Sequence, residues 1–220
     1  ECKNINQCAT GCPQCHKQST LENYIPESLY CGARLFSNCR AKRIIHSGGV
    51  AHKLVAQITE SSETQTIEIE FSHLVLAAGA IQTPHLLRRS KLARRAGRDL
   101  QFHMNLKFVA LFRDDLWADR GTIFTVQVQE FARQGLLIMA SNLQPHYVST
   151  TLAHHGNQAV DHVLRNYSKS AIYVAMIRSE SKAHISNGFG DNPVIWYRFD
   201  SRDLIKAQHA LHRTAELLFQ

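Results

Sequence analysis

His73-Leu74-Val75-Leu76-Ala77-Ala78-Gly79-Ala80-Ile81-Gln82-Thr83-Pro84-His85-Leu86-Leu87-Arg88-Arg89-Ser90 frames the reading of the whole chain. Leu74 to Ala78 is a continuous apolar run, which suits a strand buried on both faces. Ala77-Ala78-Gly79-Ala80 removes side-chain bulk at the end of that run. Thr83 then N-caps a helix, with Pro84 at its first position and Leu86 and Leu87 on its apolar side. A buried strand, a small-residue turn and a capped helix together let a cofactor approach the main chain in an α/β sheet. An ordinary β–turn–α unit shares this pattern, so the stretch speaks to architecture before chemistry.

Upstream, the chain begins with an irregular, cysteine-rich loop over residues 1–20. Short helical pieces are expected at Ser19-Thr20-Leu21 and at Pro26-Glu27-Ser28-Leu29. Residues 43–46 and 50–58 read as two extended segments around a Ser47-Gly48-Gly49 turn. Residues 66–71, TIEIEF, alternate strictly and predict a half-exposed strand. After Gly97 the texture changes to strand-like runs at residues 105–113, 122–130, 135–141, 171–178 and 194–199, with one helical stretch over 149–167. Strands with few helices between them predict a mostly antiparallel sheet. At the end, Asp200 and Asp203 read as a capping box, and Leu204, Ala207, Leu211, Ala215 and Leu218 fall on one helical face. The expected class is α+β: an α/β part over residues 1–97, then an antiparallel sheet with flanking helices over 98–220.

Bulk properties exclude some functions. The chain has 220 residues, 44% of them apolar and 20% charged, which is ordinary for a globular protein. No apolar run nears the roughly 18 residues of a membrane span, and no signal-peptide pattern is present. The net charge is +7, but the Lys and Arg are scattered. Their densest run, Arg88 to Arg95, reads as a solvated helix end and lacks the interleaved aromatics that stack bases. No nucleic-acid partner is expected, and the composition does not choose a compartment. Glu1 is the first residue and Met104 the first methionine, and the last helical pattern meets no Gly, Asn or Pro. The chain is therefore expected to be the central part of a longer protein.

Three stretches in combination resemble the glucose–methanol–choline (GMC) family of FAD-dependent oxidoreductases. The first is Ala78 to Ser90, which is similar to the family's second signature: small residues, a polar residue before Thr-Pro, two aliphatics, then Ser. Where the family continues Ser-Gly-aliphatic-Gly, this chain has Ser90-Lys91-Leu92-Ala93. Gly97-Arg98-Asp99-Leu100-Gln101-Phe102-His103 resembles the family's Gly-x-Asn-Leu-x-Asp-His, departing at Asp99 and Phe102. Gly11-Cys12-Pro13 through Lys17-Gln18-Ser19, with Tyr24-Ile25-Pro26 and Gly32-Ala33-Arg34-Leu35, looks like the bacterial sugar dehydrogenase and long-chain alcohol oxidase branches. His16 stands where those branches have Ala.

The resemblance implies oxidation of a CH–OH group on a small-molecule alcohol or sugar, with hydride passing to the flavin of FAD. It implies cofactor-binding roles for Ala41, Ala78, Gly79, Thr83 and His103, with Ala41 meeting the adenine through its main chain and His103 structural beneath the flavin. The family's Gly-rich phosphate turn is expected upstream of Glu1 and its catalytic His downstream of Gln220, so no catalytic residue is assigned. The remaining His pairs, His154-His155 and His209/His212, are expected at the surface.

The six cysteines are Cys2, Cys8, Cys12, Cys15, Cys31 and Cys39. Cys2-x5-Cys8-x3-Cys12 resembles the three-thiolate spacing of FAD sugar dehydrogenases carrying a [3Fe-4S] cluster, which would pass electrons to an electron-acceptor subunit. Zinc on Cys2, Cys8, Cys12 and Cys15 is the competing metal. Long-chain alcohol oxidases share Gly-Cys-Pro without a cluster, so free thiols or a disulfide stand as a third alternative. A function of another class, a cysteine-rich metal-binding or interaction module without flavin chemistry, also fits the loop.

Overall fold

Two adjacent glycines begin the first sheet. Gly48 and Gly49 have φ of 56° and 81°, the positive pair that a two-residue hairpin turn needs. They join β1 (Cys39–Ser47) to β2 (Val50–Glu60) as predicted, and β3 (Glu63–Glu70) follows antiparallel in the order β1-β2-β3. The β2–β3 turn has the same handedness with Ser61 and Ser62 at φ 47° and 77°, a conformation that costs more without glycine. The structure is a computed structural model that describes residues 2–141, 143–189 and 191–219. The class is α+β, and every sheet described is antiparallel.

The chain folds as two units. One comprises Glu1–Glu27, His103–Ser179 and Ser201–Gln220; the other comprises Ser28–Phe102 and Glu180–Asp200. A seven-residue helix, α1 (Tyr24–Tyr30), carries Pro26 in its first turn, where the missing N–H costs nothing.

In the second unit the predicted strand over Leu74–Ala78 does not form. A strand exists through its ladder, and residues 73–77 have no pairing partner among the described residues. Val75 is left 87% exposed. The helix α2 (Gly79–Arg89) also starts earlier than expected. Its N-cap is Ala78, without a side-chain cap bond, so Thr83 is a helical residue and Pro84 lies inside the helix. The two small residues Gly79 and Ala80 let the first turn extend back toward the apolar run.

The C-terminus of α2 resolves the departure at Lys91. The Leu92 N–H donates to the Leu87 carbonyl and the Lys91 N–H to the Arg88 carbonyl, both at 3.0 Å. These two bonds make a Schellman end, whose C′ residue is left-handed and usually glycine. Lys91 fills that position at φ 58°. Gly97 is required for a different reason. A Cβ there would lie 2.8 Å from the Ile185 Cβ. Ile185 belongs to β8 (Ala183–Asn187), which pairs with β9 (Pro193–Tyr197) and which the sequence reading did not foresee. The Ile185 N–H donates to the Gly97 carbonyl at 2.7 Å, and Leu100 pairs with Ala183. The Gly97–Leu100 motif is therefore a docking edge for β8.

The first unit is a four-stranded antiparallel sheet, in the order β4 (His103–Leu111), β7 (Ser170–Arg178), β6 (Leu136–Ala140), β5 (Gln127–Val128). The strand expected over 122–130 shrinks to two paired residues. Strand alternation then places a separate core on each face. Leu136, Ile138, Ala175 and Ile177 pack with Ala210 of α5 (Ser201–Leu218). Ile172 packs on the other face with Val148 of α3 (Pro145–Leu152) and Val163 of α4 (Asn157–Arg165). The single helix expected over 149–167 breaks at Gly156, whose φ of 83° no helix can continue through.

The buried face of α5 is rotated from the leucine-based expectation. Asp203, Ala210 and Thr214 are buried, while Leu204 and Leu211 are 53% and 54% exposed. Small residues win this face because they allow the helix to approach the sheet closely. Asp203 accepts the Ser179 hydroxyl, which satisfies a carboxylate that is 0% exposed. No helix among the described residues is long and apolar enough to cross a membrane.

Lys91→Gly is expected to stabilise the protein. It relieves a left-handed strain of about 1–2 kcal/mol, partly offset by the roughly 0.5–1 kcal/mol entropy cost of glycine. Urea denaturation should show a gain of up to about 1 kcal/mol.

Candidate cofactor cavity

The second unit contains a cavity of about 570 Å³ between β1 and the start of α2. Ala41, Ala78, Gln82, His85, Arg89 and Asp191 contribute to its lining. Two of the five positions expected to bind cofactor, Ala41 and Ala78, thus face one space. Both are small, so the main chain is open to an approaching group. Gly79 beside them is left-handed at φ 81° with nothing within 4 Å of where a Cβ would stand. Thr83 lies further along α2, and His103 is the exposed first residue of β4 in the other unit.

One buried hydroxyl fixes the walls of this cavity. Ser90 Oγ donates to the Leu86 carbonyl at 2.7 Å and accepts the Ile44 N–H at 2.8 Å. It therefore joins the C-terminal end of α2 to β1, at residues 4% and 2% exposed. The His46 ring nitrogen adds a contact to the Ser90 carbonyl at 3.2 Å.

Asp191 supplies a second clamp, which the sequence reading missed. Its carboxylate pairs with Lys42 of β1 and, at 2.5 Å, with Arg89 of α2. Its carbonyl accepts from the Arg40 guanidinium and faces the His85 ring, each at 3.2 Å. A turn residue between β8 and β9 thus holds four basic side chains around the cavity. No motif marks it; its only sequence signal is an acidic residue beside Gly-rich turn composition. Hydrogen bonding from Lys42, assisted by Arg89, holds the Asp191 carboxyl below its ordinary value. His85 is 2% exposed, and its Nδ1 has no hydrogen-bond partner among the described residues.

The cysteine loop belongs to the first unit. It is tied down at Asn4 and Asn6: the Gly121 N–H donates to the Asn4 carbonyl at 2.7 Å, and the Asn6 N–H to the Gly121 carbonyl at 3.1 Å. Cys2, Cys8, Cys12 and Cys15 are free thiols. The described residues contain no group of three or more His, Cys, Asp or Glu side chains placed to hold a metal ion. Cys2, Cys8 and Cys12 are therefore not brought together as a ligand set. Backbone N–H groups, that of His16 foremost, hold the Cys12 thiol below its ordinary range. His154, His155 and His212 are exposed, as expected, whereas His209 is half-buried with its ring edge-on to Phe131.

Ser90→Ala leaves the buried Ile44 N–H without an acceptor. The expected cost is about 1–3 kcal/mol, read from urea denaturation, and restoration by Ser90→Thr would be incomplete because the added methyl enters a buried site. For Asp191 the sign follows from its lowered native value. The stabilisation is fully present above the ordinary carboxyl range and disappears as pH falls through the native one. Asp191→Asn should therefore lower the melting temperature at pH 7, with the difference from the parent narrowing as the solution is acidified.

Residues 1–105 match the family model described as GMC oxidoreductase. An uncharacterized GMC-type oxidoreductase of Mycobacterium tuberculosis, found in both the CDC 1551 and H37Rv strains, is 31% identical over 99% of this chain and 34% of its own length. A second uncharacterized GMC-type oxidoreductase, from Sinorhizobium fredii, is 28% identical over 100% of this chain and 43% of its own length. The chain thus spans between about a third and under half of these relatives. Over almost its full length the chain is thus similar to part of the GMC-type oxidoreductases.

Proposed function

We propose that the chain forms part of the FAD site of an oxidoreductase that takes hydride from a CH–OH group of an alcohol or sugar. The observation that carries this reading is the cavity lined by Ala41 and Ala78. Those two positions were expected at the cofactor from separate parts of the sequence, and Gly79 leaves open space beside them. Small side chains, accessible main chain and a polar Gln82 fit a nucleotide that is held largely by its flat ring and by backbone groups.

When bound, FAD accepts the hydride; the protein contributes position and electrostatics. In this reading the Ala41 main chain meets the adenine, and Ala78 with Gly79 lets the backbone approach. Thr83 acts through α2 instead of touching the cofactor, and the structural role expected for His103 rests on the resemblance alone. Residues 1–97 serve the flavin part and 98–220 the substrate part, with the β8–β9 hairpin lending Asp191 to the flavin side. No residue of the chain is assigned as the catalytic base. Because the expected thiolates are not assembled, no iron–sulfur relay enters the proposal. The alternative of a metal-binding module has no donor group among the described residues to rest on.

The test uses the full-length protein. Purified protein should show a flavin absorption spectrum, and anaerobic addition of a primary alcohol or sugar substrate should bleach it. A protein that purifies without flavin and takes up none on incubation with FAD would overturn the reading. Ala78→Phe, which fills the cavity from an exposed position, should raise the FAD dissociation constant by about tenfold or more while leaving the melting temperature of the apoprotein nearly unchanged.

A further inference from the structure

Cys12-Pro13-Gln14-Cys15 has no part in the flavin reading, and its geometry is specific. The Cys15 N–H donates to the Cys12 carbonyl at 2.9 Å, which closes a four-residue turn with Pro13 at the favoured second position. Such a turn keeps its end Cα atoms within about 7 Å, and a disulfide joins Cα atoms about 4.4–6.8 Å apart. Cys15 is left-handed at φ 52°, so the chain reverses sharply after the turn. The next N–H, that of His16, donates to the Cys12 sulfur at 3.4 Å. Lys17 then donates through Nζ to the Cys8 carbonyl at 3.0 Å and anchors the far side of the turn. Cys12 is half-buried, Cys15 is exposed, and both are free thiols.

Each feature fits a dithiol built for exchange more than a structural staple. An N–H aimed at sulfur favours the thiolate, which is the reacting form. The second thiol sits at the surface, held at turn distance from the first. We propose that Cys12 and Cys15 are a reversible redox pair, in which hydrogen peroxide oxidises Cys12 and Cys15 resolves the product. In the first step the Cys12 thiolate attacks one peroxide oxygen. The O–O bond breaks, hydroxide leaves, and Cys12 becomes a sulfenic acid. In the second step the Cys15 sulfur attacks the Cys12 sulfur, the S–O bond breaks, and the Cys15 proton leaves with the hydroxyl as water. A dithiol reductant returns two electrons and two protons, which restores both thiols.

The experiment is differential alkylation and peptide mapping of the reduced full-length protein, before and after stoichiometric hydrogen peroxide. The expected product is a peptide lacking two hydrogens, with Cys12 and Cys15 both protected from alkylation and both released by dithiothreitol. Cys15→Ser should leave Cys12 as a sulfenic acid that dimedone traps. Cys12→Ser should leave Cys15 open to alkylation at the same peroxide dose. The proposal is overturned if both thiols remain alkylatable after peroxide, or if Cys12 pairs with Cys2 or Cys8 instead. It is equally overturned if the purified protein carries iron that Cys12→Ser removes. None of these outcomes depends on flavin loading, so this proposal and the flavin reading stand or fall separately.

Discussion

The Ser90 hydroxyl is the constraint on which the cofactor-side unit depends. It accepts the N–H of Ile44 and donates to the carbonyl of Leu86, so a single oxygen satisfies an edge strand and a helix end at once. Both partners are buried, where an unmade hydrogen bond is costly and a made one fixes geometry. The relation of β1 to α2 follows from that bond, and the cavity between Ala41 and Ala78 follows from the relation. The residue that caps the signature helix thus has a mechanical role distant from any chemistry.

Around this join, charge does what apolar packing does elsewhere. Lys42 and Arg89 share the Asp191 carboxylate, while Arg40 and His85 share its carbonyl. The cationic side chains of Arg40, Lys42 and Arg89, converging on an open cavity, would repel one another without a common acceptor. Asp191 provides one at the tip of the β8–β9 hairpin, and Gly97 lets that hairpin sit close enough to deliver it. The first unit is organised differently, by small apolar residues that seat α5 on one sheet face and α3 with α4 on the other.

The cysteine loop shows how spacing can suggest more than a fold delivers. Cys2, Cys8 and Cys12 have the separation of a cluster ligand set, yet hydrogen bonds through the main chain of Asn4 and through the main chain and side chain of Asn6 tie the loop to residues 118 and 121. Local geometry instead singles out Cys12 and Cys15, three residues apart in one turn. Sequence separation of three within a Pro-containing turn is a short-range fact, and short-range facts survive folding better than long-range ones.

Much was legible in the residues alone. The Gly48-Gly49 hairpin, the alternating strand before Phe71, the strands β4, β6, β7 and β9 and the C-terminal helix follow from periodicity and turn chemistry, because these are local properties. The resemblance to the GMC oxidoreductases was also legible, since three motifs had to coincide. Tertiary structure decided the rest. Leu74–Ala78 has strand composition but no neighbour to pair with, and pairing is a property of two segments. The buried face of α5 was chosen by how closely the helix could approach the sheet, which favoured Ala210 and Thr214 over Leu204 and Leu211. Asp191, 149 residues from Lys42 in sequence, gained its partners only when β8 docked against Gly97. What a residue is can be read in order along the chain; what it touches depends on which distant surfaces fit.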